Sequence, residues 1–164
     1  MNPHTIWQSE CFKLSQSYDF RLPGYMFVEC ISNPRSLADL QPSESQELVS
    51  VLKLAEHLLH TLIRPEKVYV LKFGESDDRV HFHIIPRTTK LLASYLNACQ
   101  TSPPYNGALI TAWLWANAES LGYTEEDISD FVSSARQACG ELTRRSTLLL
   151  SVAGHCAIKP RSAG

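Results

Sequence analysis

Apolar and polar positions alternate along the first part of the chain and then change period. From Ile6 to Leu14 the alternation is imperfect but predicts a strand. Ser15 to Asp19 reads as a turn. Arg21-Leu22-Pro23-Gly24 reads as a second turn, since proline fixes φ and glycine admits positive φ. Tyr25 to Ile31 is rich in aromatic and branched residues and predicts a buried strand, closed by Ser32-Asn33-Pro34. Ser36 to Leu40 suits a short helical turn. Then Leu48, Val51, Leu52, Ala55, Leu58, Leu59 and Leu62 recur at helical spacing, with Ser50, Lys53, His57 and Thr61 opposite. This predicts an amphipathic helix over Ser43–Ile63, opened by a Ser43-x-x-Gln46 capping box and ended at Arg64-Pro65.

Lys67 to Phe73 predicts a strand, Gly74 to Asp78 a polar loop, and Arg79 to Pro86 a second strand, together an antiparallel hairpin. Thr89 to Cys99 reads as a helix, and Ser102-Pro103-Pro104-Tyr105-Asn106-Gly107 breaks it. Ala108 to Ser120 and Glu125 to Leu142 read as helices, the second with Thr124 as N-cap and Asp127 three residues on. Thr147 to Ala153 suits either a strand or a continuation of that helix, and Lys159 to Gly164 a frayed tail. The expected class is α+β: an antiparallel sheet of about five strands with the long helix packed on it, plus a C-terminal helical extension. Residues 1–100 form the expected domain, and residues 101–164 the extension packed on it. The apolar Trp113-Leu114-Trp115 cluster suits a core or an interface, with core favoured.

At 164 residues and 18.4 kDa the chain suits one domain. Hydrophobic residues at 44% and charged residues at 20% exclude a disordered chain, a collagen-like repeat and a coiled-coil rod. A formal charge of −2 supplies no global basic field, so nucleic acid is not an expected partner. Five cysteines is an odd count with no CxxC pair, which argues for reduced thiols rather than a disulfide framework or a structural zinc site. The N-terminus lacks the basic and apolar regions of a signal peptide, and the apolar runs fall short of the roughly 18 residues a membrane span needs. A soluble cytoplasmic protein that does not engage membranes is expected.

Chemistry concentrates in Arg79-Val80-His81-Phe82-His83-Ile84-Ile85-Pro86-Arg87. Side chains alternate across a strand, so Arg79, His81 and His83 share one face while Val80, Phe82 and Ile84 share the core face. An imidazole with an unperturbed pKa of about 6.5 is largely neutral at pH 7 and able to act as a nucleophile. A neighbouring imidazole and a guanidinium would bind phosphate oxygens and stabilise charge at phosphorus. A solvated polar face is the plain alternative. A metal held by His81 and His83 with Asp77 or Asp78 is another. His57 and His60 fall toward the polar side of the long helix; His4 and His155 have no spacing that implies a site.

His81-Phe82-His83-Ile84-Ile85-Pro86-Arg87 resembles the end of the histidine-triad (HIT) signature, three histidines alternating with apolar residues and often followed by Pro-Arg. Upstream, Leu22-Pro23-Gly24-Tyr25-Met26-Phe27-Val28 is similar to the family's strand after a Pro-Gly turn. Ser36-Leu37-Ala38-Asp39-Leu40 is similar to the segment before its long helix. The resemblance covers about residues 6 to 90 and implies a HIT-like fold. Anchored on Pro86, the family's nucleophilic middle histidine falls at His81, and its third histidine, which contacts the attacked phosphate, at His83. Arg79 stands in place of the first; it is always charged and would bind a phosphate. Ser76 is the implied leaving-group assistant. The ribose-holding Asp or Asn position is Ser17, with Gln16 and Asp19 nearby, and Tyr25 stands where many members carry histidine; the resemblance thus implies Ser17, Gln16 and Tyr25, with Arg79, as substrate-binding residues.

The implied activity is a nucleotide hydrolase or nucleotidyl transferase, diadenosine polyphosphate hydrolase-like. It would act at the α-phosphate of a nucleoside phosphate, phosphoramidate or dinucleoside polyphosphate through a nucleotidyl-histidine intermediate, with no metal or cofactor. Family members are commonly homodimers. Arg79 and Ser17 also motivate an alternative: a non-catalytic nucleotide-binding or protein-interaction module that keeps the fold.

Overall fold

The computed structural model describes residues 2–75 and 77–153. Ser76, His155, Cys156 and the expected tail over Lys159–Gly164 lie outside them. Five strands, β1 (Thr5–Gln8), β2 (Phe12–Gln16), β3 (Met26–Cys30), β4 (Lys67–Leu71) and β5 (His81–Arg87), form one antiparallel sheet in the order β1-β2-β3-β5-β4. The expected α+β class and sheet are present. The single strand expected over Ile6–Leu14 is instead the hairpin β1-β2. Ser9 breaks it: its hydroxyl accepts the backbone N–H groups of Cys11 (3.1 Å) and Phe12 (3.0 Å). Such a local side-chain bond offers the backbone an alternative to the ladder.

The long helix α1 spans Pro42–Leu62. Its box is not Ser43-x-x-Gln46. The Glu44 carboxylate accepts the Gln41 backbone N–H at 2.7 Å, and Pro42, pre-set in φ, occupies the first turn. Val51, Ala55, Leu58 and Leu59 of α1 are buried against Phe12, Leu14, Met26, Val28, Val80 and Ile84 of the sheet region. Each fully buried Leu, Ile or Val side chain contributes about 1.5–3 kcal/mol, so this seam fixes which sheet face points inward.

The helix α4 (Glu125–Ala153) lies on the same side, burying Phe131, Val132 and Ala135 in that core. It is opened as expected by Thr124, whose hydroxyl accepts the Asp127 N–H at 3.2 Å while Asp127 accepts the Thr124 N–H at 2.7 Å. Residues 147–153 continue the helix. A second core sits on the opposite sheet face, where α2 (Thr89–Cys99) and α3 (Gly107–Asn117) cover Tyr25 and Ile85 with Leu91, Tyr95, Ile110 and Leu114. The helices thus flank both faces. The second pair covers only the face around Ile85 and Tyr25, leaving Phe27, Glu29, His81 and His83 to line an open cleft. Among the described residues no helix is long and apolar enough to cross a membrane.

The turn feeding β3 is pinned from both sides. Gln16, fully buried, donates from Nε2 to the Leu22 carbonyl at 2.9 Å and accepts the Gly24 N–H at 3.0 Å. Gly24 has φ +84°, and a Cβ there would lie 2.6 Å from Leu59 Cδ2 and 3.3 Å from Ile63 Cγ1. Leu59 is fully buried and has little room to retreat. Gly24→Ala combines positive-φ strain with overpacking. It should lower the unfolding free energy by about 2–4 kcal/mol in urea titrations. A loss below about 0.5 kcal/mol would show that this turn does not hold β3 against α1.

Candidate active site

The β3–β5 pairing places Phe27 opposite His83 and Glu29 opposite His81. These side chains line a cleft of about 570 Å³ on the face away from α1. The two imidazole centroids are 5.1 Å apart, and Phe27 meets His83 edge-on at 4.9 Å. Phe73, just beyond β4, and Trp115, from α3, close the cleft beside His83 at 6.3 and 5.8 Å.

The histidines are held differently. His81 Nδ1 lies 2.8 Å from the Arg79 carbonyl, which can only accept. In the neutral ring Nδ1 therefore carries the hydrogen, and Nε2 keeps its lone pair. His83 Nδ1 lies 2.7 Å from the Tyr25 hydroxyl, to which Trp115 Nε1 donates at 2.8 Å. Burial, reinforced by the adjacent His81, pushes the His83 pKa down to about 4. Burial pushes that of Tyr25 up, so its phenol stays protonated.

Arg79 precedes β5 rather than belonging to it. Its Nε lies 2.8 Å from Asp77 Oδ1, its Nη2 also bonds Asp77, and its Nη1 donates to Asn33 Oδ1 at 3.3 Å. The Arg79 hydrogen bonds hold the Asp77 carboxyl well below the usual carboxylate range, at about 2. The guanidinium sits at the cleft wall but is engaged by its own loop. Glu29 is likewise paired, with Lys13 at 2.9 Å and the Ser15 hydroxyl at 3.0 Å. Asp19 and Glu75 complete an acidic lining.

The structure thus brings together His81, His83, Arg79, Asp19 and Asp77 of the residues singled out from sequence. Tyr25 is fully buried behind His83 and does not line the cleft. Gln16 and Ser17 face the turns instead: Gln16 clasps Leu22 and Gly24, and the Ser17 hydroxyl accepts the N–H groups of Asp19 (3.3 Å) and Phe20 (3.2 Å). Phe27, Glu29, Phe73 and Trp115 were not anticipated. The alternation of β3 carried a signal for Phe27 and Glu29. For Trp115 there was none: Leu114 is buried in the second core, Trp113 and Trp115 both pack against it, and only the path of α3 also brings Trp115 to the cleft.

The fold is that of the histidine-triad proteins. A histidine triad protein from Bradyrhizobium japonicum superposes with a TM-score of 0.57 at 16% identity, over 81% of this chain and 87% of that one. A Hit-like protein involved in cell-cycle regulation from Bartonella henselae gives 0.55 at 14% identity, over 84% and 88%. A zinc-bound histidine triad family protein from Mycobacterium smegmatis gives 0.53 at 13%, over 86% of each chain. No family model matches the sequence, and no curated protein matches it. At these identities the likeness to the histidine-triad proteins is one of fold.

The depressed His83 pKa has a consequence for stability. Above about pH 6.5 the imidazole is neutral both folded and unfolded; as pH falls from 6.5 towards 4 the unfolded chain takes up the proton first. The stability associated with this ring is therefore complete above about 6.5 and lost progressively towards about 4. Allowing for partial solvent exposure, the loss should be about 1–2 kcal/mol. Urea titrations over this range should show a shallower fall for His83→Gln than for wild type. Parallel curves would show that His83 titrates normally.

Proposed function

We propose that the chain is a histidine-triad-type nucleotide hydrolase or nucleotidyl transferase with His81 as nucleophile and Arg79 in the place of the first triad histidine. The observation that carries this reading is the 2.8 Å bond from His81 Nδ1 to the Arg79 carbonyl, which leaves Nε2 with a free lone pair beside His83. In the first step His81 Nε2 forms a bond to the α-phosphorus. The bond from phosphorus to the leaving oxygen or nitrogen breaks, and its electron pair departs with that atom. Ser76 is the proposed source of the leaving-group proton. Water or another acceptor then attacks phosphorus, its proton returns to Ser76, and the bond from phosphorus to Nε2 breaks with its electron pair going back to His81. The faces of Phe27, Phe73 and Trp115 offer a surface on which a base can stack.

The lining carries Asp19, Glu29, Glu75 and Asp77 against Arg79, and Arg79 is tied to Asp77. Two unit charges about 8 Å apart at an effective dielectric of about 40 repel by ~1 kcal/mol. Each further phosphate of a dinucleoside polyphosphate meets this repulsion. A nucleoside phosphoramidate or monophosphate ester meets it once, so these are the favoured substrates. The same electrostatics favour one second reading, a nucleotide-binding module whose Arg79 is withheld from chemistry.

Intact-protein mass spectrometry after incubation with adenylated and guanylated phosphoramidates and dinucleoside polyphosphates separates the two. Wild type should carry a nucleotidyl adduct and form product, faster with phosphoramidates. His81→Ala should lose the adduct and at least about a thousandfold in turnover. Equal turnover by wild type and His81→Ala would remove the nucleophile assignment. Binding without adduct or product would establish the module instead.

A further inference from the structure

Trp115, Tyr25 and His83 come from three separate segments and form a short hydrogen-bonded chain, 2.8 Å from Trp115 Nε1 to Tyr25 Oη and 2.7 Å from Oη to His83 Nδ1. The polarity of this chain follows from its first member. An indole nitrogen only donates. The phenol oxygen therefore receives the Trp115 hydrogen, and its own hydrogen is left for His83. Tyr25 is fully buried and its phenol is kept protonated, so that hydrogen is available. Nδ1 of His83 is then the acceptor. A neutral imidazole that accepts at Nδ1 carries its hydrogen on Nε2. The neighbouring rings limit rotation about this arrangement: Phe27 at 4.9 Å, Trp115 at 5.8 Å and Phe73 at 6.3 Å surround the imidazole.

The geometry points to Tyr25 and Trp115 as positioning residues that hold His83 in the tautomer whose Nε2–H donates to a phosphate oxygen of the bound nucleotide. This assignment rests on the nucleotide reading above. It differs from the sequence-based expectation that Tyr25 itself meets the substrate, since Tyr25 is buried behind His83. His83 acts as a neutral donor rather than as a proton source: burial and His81 keep the ring uncharged at neutral pH. A neutral imidazole aimed in this way stabilises charge on oxygen without itself changing protonation. The opposite tautomer would set a lone pair against the phosphate oxygen. With Arg79 bonded to Asp77 and Asn33, the His83 N–H is the donor best placed beside the nucleophile.

Long-range proton–nitrogen correlation spectra of ¹⁵N-histidine-labelled protein at pH 7, assigned with His83→Gln, test the relay without any substrate. Wild-type His83 should show a hydrogen on Nε2 and a bare, hydrogen-bonded Nδ1. Tyr25→Phe should convert it to a mixture of tautomers, and Trp115→Phe should shift the Nδ1 signal while keeping the Nε2 hydrogen. A wild-type His83 with its hydrogen on Nδ1, or doubly protonated, would overturn the proposal; so would a Tyr25→Phe spectrum identical to wild type.

Calorimetry then separates the phosphate role from a role in cleft shape. Tyr25→Phe should weaken AMP or GMP binding about tenfold while leaving adenosine or guanosine within about twofold. Equal weakening of nucleotide and nucleoside would overturn the phosphate role. Wild type that binds none of these ligands would overturn both the phosphate role and the nucleotide reading, while the spectra alone decide the relay.

Discussion

The pairing of β5 with β3 is the constraint on which the rest of the molecule depends. The side-chain period of a strand is two, so the alternation that sends Val80 and Ile84 into the core under α1 also sends His81 and His83 to the opposite face. A slip of one residue would put both imidazoles beneath α1 and expose Ile84. The core therefore specifies the site's register. β5 is also an inner strand, hydrogen-bonded to β3 on one side and β4 on the other. The two histidines consequently project from a backbone with little freedom, as precise placement of a reacting group requires.

Placed two residues apart on that strand, the histidines diverge because different groups hold them. His81 is oriented by a backbone carbonyl, and the Asp77–Arg79–Asn33 cluster holds the residue that supplies it. His83 is oriented by side chains from the entry to β3 and from α3, in a pocket that disfavours its charged form. One ring presents a lone pair and the other, on the proposed tautomer, an N–H. Two like side chains thus take complementary roles, set by their surroundings.

Much of the framework was legible. The helical period of α1 and the two-residue period of β5 each follow one strong apolar pattern, and both elements form, α1 within one residue of the expected bounds and β5 beginning two residues later than expected, at His81. The spacing of His81 and His83 carried the resemblance that the fold now matches. What escaped were contacts that no local pattern encodes. Ser9 splits an apparently continuous strand through a bond of its own hydroxyl. Gln16 and Ser17 stand near a ligand-holding position by alignment, yet their side chains secure the adjoining turns. Trp115 reaches Tyr25 across 90 residues of sequence, from a helix apolar on all sides, so its own sequence offers no face to read.

Arg79 shows how a residue's charge can mislead about its role. Read from sequence, it is the only permanent cation in the histidine row and the natural partner for a phosphate. In the folded chain Asp77 neutralises it, while its backbone carbonyl orients His81. A phosphate that displaced Asp77 would free an anionic carboxylate at the cleft wall and disturb the segment that orients His81. Recognition of phosphorus would then fall to dipoles, chiefly an imidazole N–H. Dipoles stabilise one developing charge well but compensate several formal charges poorly. On the proposed reading, substrate selection in such a cleft would follow from total charge before any contact to the base, because every phosphate beyond the attacked one would approach carboxylates with no free cation among the lining residues to receive it.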